Sequence, residues 1–401
     1  MSVVSIGANV PSVEELEKRS LNISRFIRRY AEQAERTRQV SSDAISRMRE
    51  AGIFRTMQPA IYGGYEYGFD ALLRVVAPIG AACGSTGWVS SLGIVHQWLI
   101  AAFPKQAQEE YFSDPDALAF GSYPPVGKVI PVEGGFRLSG TWAFTSGCDH
   151  ARWLVLGGLI PPTEEGASAN PSFFLLPISD VCLDDNWFTM GLAATGSKNT
   201  VVSDAFVPVH RTVSIVDLLV GVAPGAMLHE NPLYRQSLLS VLPFCLVVPL
   251  LGIADGALAD FLAMAAVRTT RGAVSGGNNR MAEFATIQSR LAEATGAVEA
   301  ARLLILDGMQ GALRAAVVGT QGERNLRLGN RLKQAFAARL LVQAVDALLH
   351  AAGGQGVFLD KPIQRAWRDI HTGAMHVSLT WDAVSTMYGQ YALGLEPKGQ
   401  Y

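Results

Sequence analysis

The chain has 401 residues, 49% hydrophobic and 17% charged, with a net charge of −2. That length supports two or three packing units, and the apolar excess points to much buried surface, subunit interfaces included. The near-neutral balance leaves no global field for nucleic acid or a membrane surface. The four cysteines are scattered without CxxC spacing, which excludes a disulfide frame and a zinc site and reads as buried thiols in a reducing compartment.

The first eighteen residues lack the basic and apolar regions of a signal peptide, so a cytoplasmic location is expected. Residues 12–53 are predicted helical: Leu16, Ile23, Phe26, Ile27 and Tyr30 recur at helical spacing, and Ser41-Ser42-Asp43 offers caps for a second helix. A turn-rich connection follows at 57–64, then helical pattern over 68–113 with Gly84, Gly87 and Gly93 permitting close packing. From about residue 118 to 212 the texture changes to short strands separated by turns, among them Lys128–Val132, Trp153–Leu159, Ser172–Pro177 and Thr200–Phe206. Long helices return after about residue 230, including 287–306 and 326–352. The uncharged run between Arg235 and Asp255 imitates a membrane span, but Pro243 and Pro249 interrupt it and a buried core helix is expected. Three parts result: an α-helical 1–117, a β domain 118–215 and a helical bundle 216–401.

The chain holds no phosphate-binding GxxxxGK loop, no GxSxG elbow and no zincin motif. The glycines of Gly353-Gly354-Gln355-Gly356 follow a helix rather than a strand, so they are no dinucleotide fingerprint. His371 and His376, five apart, would sit roughly 140° apart on a helix and could not share a metal, so no metal is expected. Two of the seven histidines stand out. His96 lies in an apolar helical stretch, where an imidazole must find a partner or a cavity, and His376 lies in a segment poor in charge. Thr145-Ser146-Gly147 and Thr195-Gly196-Ser197 place hydroxyls at strand ends, where they serve turn chemistry or bond a heteroaromatic edge or a phosphate. Trp98, Phe103, Trp187, Phe188, Met190 and Met375 are candidates for an apolar pocket or for ordinary packing.

Four segments, in order, resemble the acyl-CoA dehydrogenases: FRTMQPAIYGGYE (54–66), GGFRLSGTWAFTSGCDHARWLVL (134–156), MGLAATGSKNTVVSDAFVPVHR (190–211) and HAAGGQGVF (350–358). The resemblance implies an α+β chain with an N-terminal α-helical domain, a middle β-barrel-like domain and a C-terminal four-helix bundle. A homotetramer is the usual assembly, with flavin between the β domain and the C-terminal helices. The chain departs from the dehydrogenases at both positions where that family keeps its carboxylate base. After Arg368-Asp369 the place is taken by His376 and Val377, and Gln236–Leu242 offers Ser240 but no acid. The pattern Trp367-Arg368-Asp369-Ile370-His371, His376 and YGQYALGL (388–395) resembles instead the oxygenase components of two-component (group D) flavin-dependent monooxygenases, of the 4-hydroxyphenylacetate 3-hydroxylase type.

That second resemblance implies reduced FMN or FAD delivered by a separate NAD(P)H-dependent reductase. Oxygen would be activated as a C4a-hydroperoxyflavin in a site that excludes water, and an aromatic (phenolic, quinonoid or indolic) substrate hydroxylated. It assigns His376 to the peroxide side and Ser146 to the flavin N5 edge. His96, with Ser122 beside it, would polarise or deprotonate a substrate hydroxyl. Thr145, Ser197, Arg268 and the Gly353, Gly354, Gln355, Gly356 turn would hold the isoalloxazine and phosphate, with Arg271 an equal candidate for Arg268. Two other readings stand beside this one: a dehydrogenase with an unrecognised base, and a non-catalytic flavin-binding protein.

Overall fold

A computed structural model describes residues 10–162, 164, 166–270 and 279–401; Arg271 lies outside the described residues. The N-terminal part is helical: α1 (Val13–Thr37), α2 (Ser42–Glu50), α3 (Leu72–Val75), α4 (Ala77–Ala82), α5 (Gly84–Ile100) and α6 (Lys105–Phe112). Ser12 caps α1 by accepting from the Glu15 N–H, with Glu14 and Glu15 in the first turn, where the helix dipole favours acids. Ser41 caps α2 in the same way, through the Ala44 N–H.

Seven strands follow: β1 (Ala119–Val132), β2 (Gly135–Thr145), β3 (Trp153–Ile160), β4 (Asn170–Pro177), β5 (Cys182–Asp184), β6 (Lys198–Pro208) and β7 (Thr212–Ser214). They form one sheet in the order β5-β6-β2-β1-β3-β4-β7. β1 joins its halves. Residues 119–122 pair in parallel with β3, and after an irregularity between Ser122 and Gly127 the strand turns to pair antiparallel with β2 over 128–132. The sheet curls without closing, so β5 and β7 remain edges. Cys182 stands exposed on β5, which corrects the expectation that every thiol is buried; the other three cysteines are buried.

The chain then returns to helices: α7 (Ile215–Val220), α8 (Leu238–Val241), α9 (Phe244–Val267), α10 (Ala285–Val318), α11 (Arg324–Ala352), α12 (Pro362–Ala374) and α13 (Trp381–Ala392). The apolar run that imitated a span is α8 and α9, and 89% of its most apolar window is buried inside the protein. α9 packs directly on α4, α11 and α12. Gly252 allows the contact with α4, because a Cβ there would lie 2.4 Å from the Ala77 carbonyl oxygen. α9 thus ties the N-terminal helices to the C-terminal bundle, and α5 and the start of β1 lie along the junction.

Candidate active site

α5 is buried at every position except Leu92, which is half-buried. Leu92 is thus the one position of this core helix that opens to solvent. Trp88, Leu92 and His96 share one face at four-residue spacing, so Trp88 and His96 flank the opening about 12 Å apart along the axis.

At one end, His96 is fully enclosed. Its Nδ1 lies 2.8 Å from the Leu92 carbonyl oxygen, and its Nε2 lies 2.8 Å from the Tyr123 hydroxyl. A carbonyl only accepts, so Nδ1 carries the proton and Nε2 presents a lone pair, which the Tyr123 hydroxyl fills. Burial pushes the imidazole down to about 4, so it is neutral at pH 7. Burial also holds the Tyr123 phenol well above its ordinary range. The rings of Phe120 and Tyr123 lie 6.1 and 5.9 Å from the imidazole.

At the other end, His376 follows the last turn of α12, its ring centroid 6.1 Å from that of Trp88. Its Nδ1 accepts from the Ser378 backbone N–H at 3.1 Å, which leaves the ring proton on Nε2. Nε2 has no hydrogen-bond partner among the described residues. Burial, and then the charge of Arg331, push this imidazole down to about 4 as well. The two histidines are therefore both neutral but in opposite tautomers: His96 accepts at Nε2 and His376 donates there. His371 does other work, stacked on Trp367 with its Nε2 2.9 Å from Asp346.

A row of buried hydroxyls runs from the Trp88 end. The Trp88 indole N–H donates to Ser146 Oγ at 3.2 Å; Ser146 Oγ lies 2.7 Å from Ser197 Oγ, and Ser197 Oγ 2.6 Å from Thr195 Oγ1. The structure thus brings Ser146 and Ser197 together across 51 residues of sequence, as the site requires. It does not do so for Thr145, whose side chain is fully buried in the seam between β2 and β6. Thr200 spends its proton on the Trp142 carbonyl, so Thr145 donates to Thr200 at 3.2 Å and its hydroxyl is unavailable to a cofactor. Ser122 donates to the Ala143 carbonyl at 2.7 Å, and the hydroxyl that reaches His96 is that of Tyr123.

Arg268 donates through Nη1 to the Ala352 carbonyl at 2.6 Å, which sets it beside the Gly353–Gly356 turn. Gly353, Gly354 and Gln355 are exposed, and a Cβ at Gly353 or Gly354 would meet nothing within 4 Å. This region lies at the opposite end of α12 from His376, about 20 Å away along the 13-residue helix. It cannot contact the same ring as Ser146 and His376. Of the apolar candidates, Trp98 and Phe103 are core residues, while Phe188, Met190 and Met375 are exposed and enclose nothing in the isolated subunit. Trp187 donates from its indole to the Leu192 carbonyl.

Four residues escaped sequence reasoning. Tyr123 and Trp88 belong to the site directly. Arg331 is 4% exposed and, among the described residues, bonds Gln334 Oε1 and the Gln400 carbonyl and no carboxylate. Burial pushes it down to about 10, and its charge bears on His376. Asp369 is the buried acid nearest to a catalytic profile, pushed up to about 6 by burial. Its Oδ1 accepts from the Leu192 N–H at 2.6 Å, and its Oδ2 lies 2.8 Å from where a Gly84 Cβ would be, so it ties the 191–197 loop to the start of α5. It holds structure together and is no replacement for the missing base. Ser240 has a buried hydroxyl without a partner, and its carbonyl is bonded by Asn330 and Gln334.

Residues 22–115 match the acyl-CoA dehydrogenase N-terminal domain and residues 244–381 the acyl-CoA dehydrogenase C-terminal domain. The chain is 42% identical over 389 residues to the FADH2-dependent resorcinol hydroxylase, oxygenase component, of Rhizobium sp. (strain MTP-10005), covering 96% of this chain and 95% of the relative. It is 31% identical to the p-hydroxyphenylacetate 3-hydroxylase oxygenase component of Acinetobacter baumannii, over 97% and 91% of the two chains. The crystal structure of 3-HSA hydroxylase from Rhodococcus sp. RHA1 superposes with a TM-score of 0.89 at 33% identity, covering 96% of this chain and 98% of that one. An acyl-CoA dehydrogenase scaffold and near full-length similarity to such oxygenases make one family: the chain belongs to the oxygenase components of the two-component flavin-dependent monooxygenases, which use reduced flavin and O2.

Proposed function

We propose that this chain hydroxylates a phenol, with resorcinol and related monocyclic phenols as the substrate class, using reduced FAD from a separate NAD(P)H-dependent reductase. The observation that carries the reading is the Tyr123 hydroxyl on His96 Nε2 at 2.8 Å. The site already contains a phenol donating to this lone pair, and a phenolic substrate has the same donor. The resorcinol hydroxylase, similar over nearly the full length, supports the substrate class and the choice of FAD.

The residues present fit a reduced flavin. The opening at half-buried Leu92 lies between the two histidines, Ser146 stands at its Trp88 end, and the His376 Nε2–H is uncommitted. When bound, the flavin supplies the electrons that activate O2. The chain's own residues do the rest. His376 would donate its Nε2–H toward the oxygen side of the site. Ser146, with Ser197 behind it, would hold the N5 edge of the flavin. His96 accepts a hydrogen bond at Nε2 from the substrate hydroxyl, which polarises the O–H bond and makes the neighbouring ring carbon a better nucleophile. The buried residues of α5 and Phe120 exclude water from the His96 end.

Arg268 and the Gly353–Gly356 turn are assigned to the phosphate part of the cofactor. Their distance from His376 is met by a homotetramer in which neighbouring subunits close the sites. The exposed Val357, Phe358 and Leu359 that follow the turn supply apolar surface for that assembly. We place the enzyme in the cytoplasm, with no membrane or nucleic-acid partner. The test is product mass: anaerobically reduced FAD, then oxygen, with resorcinol present. The expected product is the substrate plus one oxygen atom. Complete flavin oxidation with only H2O2 formed, across a panel of phenols, would contradict the substrate class.

A further inference from the structure

The row of hydroxyls behind Ser146 has a direction, and donor counting fixes it. The Trp88 indole nitrogen can only donate, and it donates to Ser146 Oγ at 3.2 Å. At the far end the Leu192 carbonyl can only accept, and it takes the Thr195 hydroxyl proton at 2.8 Å. Three hydroxyls lie between these ends, each with one proton. Thr195 has spent its own, so in the 2.6 Å contact Ser197 donates to Thr195. Ser197 has then spent its own, so in the 2.7 Å contact Ser146 donates to Ser197. Ser146 is left with no proton to offer and one unused lone pair. All three hydroxyl-bearing residues are at least nine-tenths buried, so water does not compete for these positions. The terminal carbonyl is itself held in place. The Trp187 indole donates to the same Leu192 oxygen, Asp369 takes the Leu192 N–H, and Gly191 packs so tightly on α12 that a Cβ would lie 2.1 Å from the Arg368 carbonyl oxygen.

From this we infer that Ser197, Thr195 and the Leu192 carbonyl form a polarity lock that makes Ser146 an obligate acceptor and so selects the reduced over the oxidised flavin. The inference rests on the proposed placement of Ser146 at the flavin N5 edge. A reduced isoalloxazine carries a proton on N5 and donates to Ser146. An oxidised one presents a lone pair there, which would face the Ser146 lone pair in a buried site. An acceptor buried without a donor costs enough to lower affinity by roughly 10- to 100-fold. The selectivity does not need a charged group. It comes from the far end of the chain, where a backbone carbonyl drains the protons away from the cofactor.

The test is an anaerobic titration of the full-length protein with reduced FAD and, separately, with oxidised FAD, reading two dissociation constants per variant. The wild type is expected to favour reduced FAD. Ser197→Ala removes the acceptor of the Ser146 proton, so Ser146 can turn and donate to N5. Oxidised FAD should then bind roughly tenfold or more tightly while reduced FAD changes little. Thr195→Val keeps Ser197 but lets the chain reverse, and should move the ratio in the same direction. Trp88→Phe leaves the drain intact and should preserve the ratio. A merely structural role for Ser197 and Thr195 would weaken both redox forms together. If Ser146→Ala alters the ratio but Ser197→Ala and Thr195→Val do not, the lock is wrong and the placement of Ser146 survives. If Ser146→Ala alters neither constant, the placement itself fails, and the lock with it.

Discussion

The two ends of the site use the same residue type for opposite tasks. His96 and His376 are both neutral, both pushed down to about 4 mainly by burial. They differ in the backbone group each ring meets. A carbonyl at Nδ1 makes His96 an acceptor at Nε2, and an N–H at Nδ1 makes His376 a donor there. Burial alone removes the charge; the local backbone decides the direction of the hydrogen bond. In the proposed mechanism one direction holds oxygen and the other polarises a substrate hydroxyl, and neither uses a charged side chain at neutral pH.

The largest expected effect breaks the acceptor end. His96→Ala should lower the rate of phenol hydroxylation by roughly 100-fold or more while reduced flavin is still consumed, measured as product against H2O2. Next, His376→Ala should lower the yield of product per reduced flavin by roughly tenfold, because one hydrogen bond to the oxygen side is lost. Tyr123→Phe sharpens the comparison by removing the internal phenol that competes for Nε2. The KM for a phenolic substrate should fall several-fold, and the Tm of the free protein should drop because a buried lone pair loses its donor, about 1–3 kcal/mol.

Acid stability tests the burial argument, with signs that differ by residue. A histidine at about 4 when folded and 6.5 when unfolded binds protons preferentially in the unfolded chain. Each such histidine therefore removes about 3 kcal/mol of stability as pH falls from 6.5 to 4. Asp369 has the opposite sign: raised from 3.8 to about 6, it favours the folded state as the pH falls through that window, by about 3 kcal/mol. Asp369→Asn should therefore steepen the acid loss of Tm, and His96→Gln should flatten it. The smallest effect is expected at Arg331. Arg331→Met removes a buried charge that has no carboxylate partner, so Tm should hold or rise and the His376 imidazole should move back up, read by its NMR titration.

Much of this was legible in the chain, and what was not has physical reasons. The helix–strand–helix order and the capping of α2 at Ser41 follow from local pattern. His96 and His376 were visible because an imidazole in an apolar stretch, or in place of an expected acid, is anomalous by itself. Two similar hydroxyl clusters singled out Ser146 and Ser197, which lie 2.7 Å apart, and Arg268 was named together with the glycine turn, beside which it bonds the Ala352 carbonyl. Tyr123 was hidden because β1 changes partners just after it, so strand alternation gives no reliable facing there. Trp88 lies 58 residues from Ser146 and Arg331 well upstream of His376, and nothing local marks either contact. Thr145 misled because two adjacent hydroxyls look equivalent, while Thr145 ends β2 and bonds Thr200 and Ser146 begins the turn and bonds Ser197. Cys182 is exposed because β5 is a three-residue edge strand.

The most direct measurement of the central claim is the partition of oxygen between product and H2O2, in a single turnover of anaerobically reduced FAD with resorcinol. The wild type should give mostly product. His96→Ala should give nearly all H2O2 with flavin reoxidation at an unchanged rate in the absence of substrate, and His376→Ala should release H2O2 whether or not substrate is present. Product formation retained in His96→Ala, or H2O2 release in the absence of substrate that is no faster in His376→Ala than in the wild type, would contradict the division of labour between the acceptor and the donor histidine.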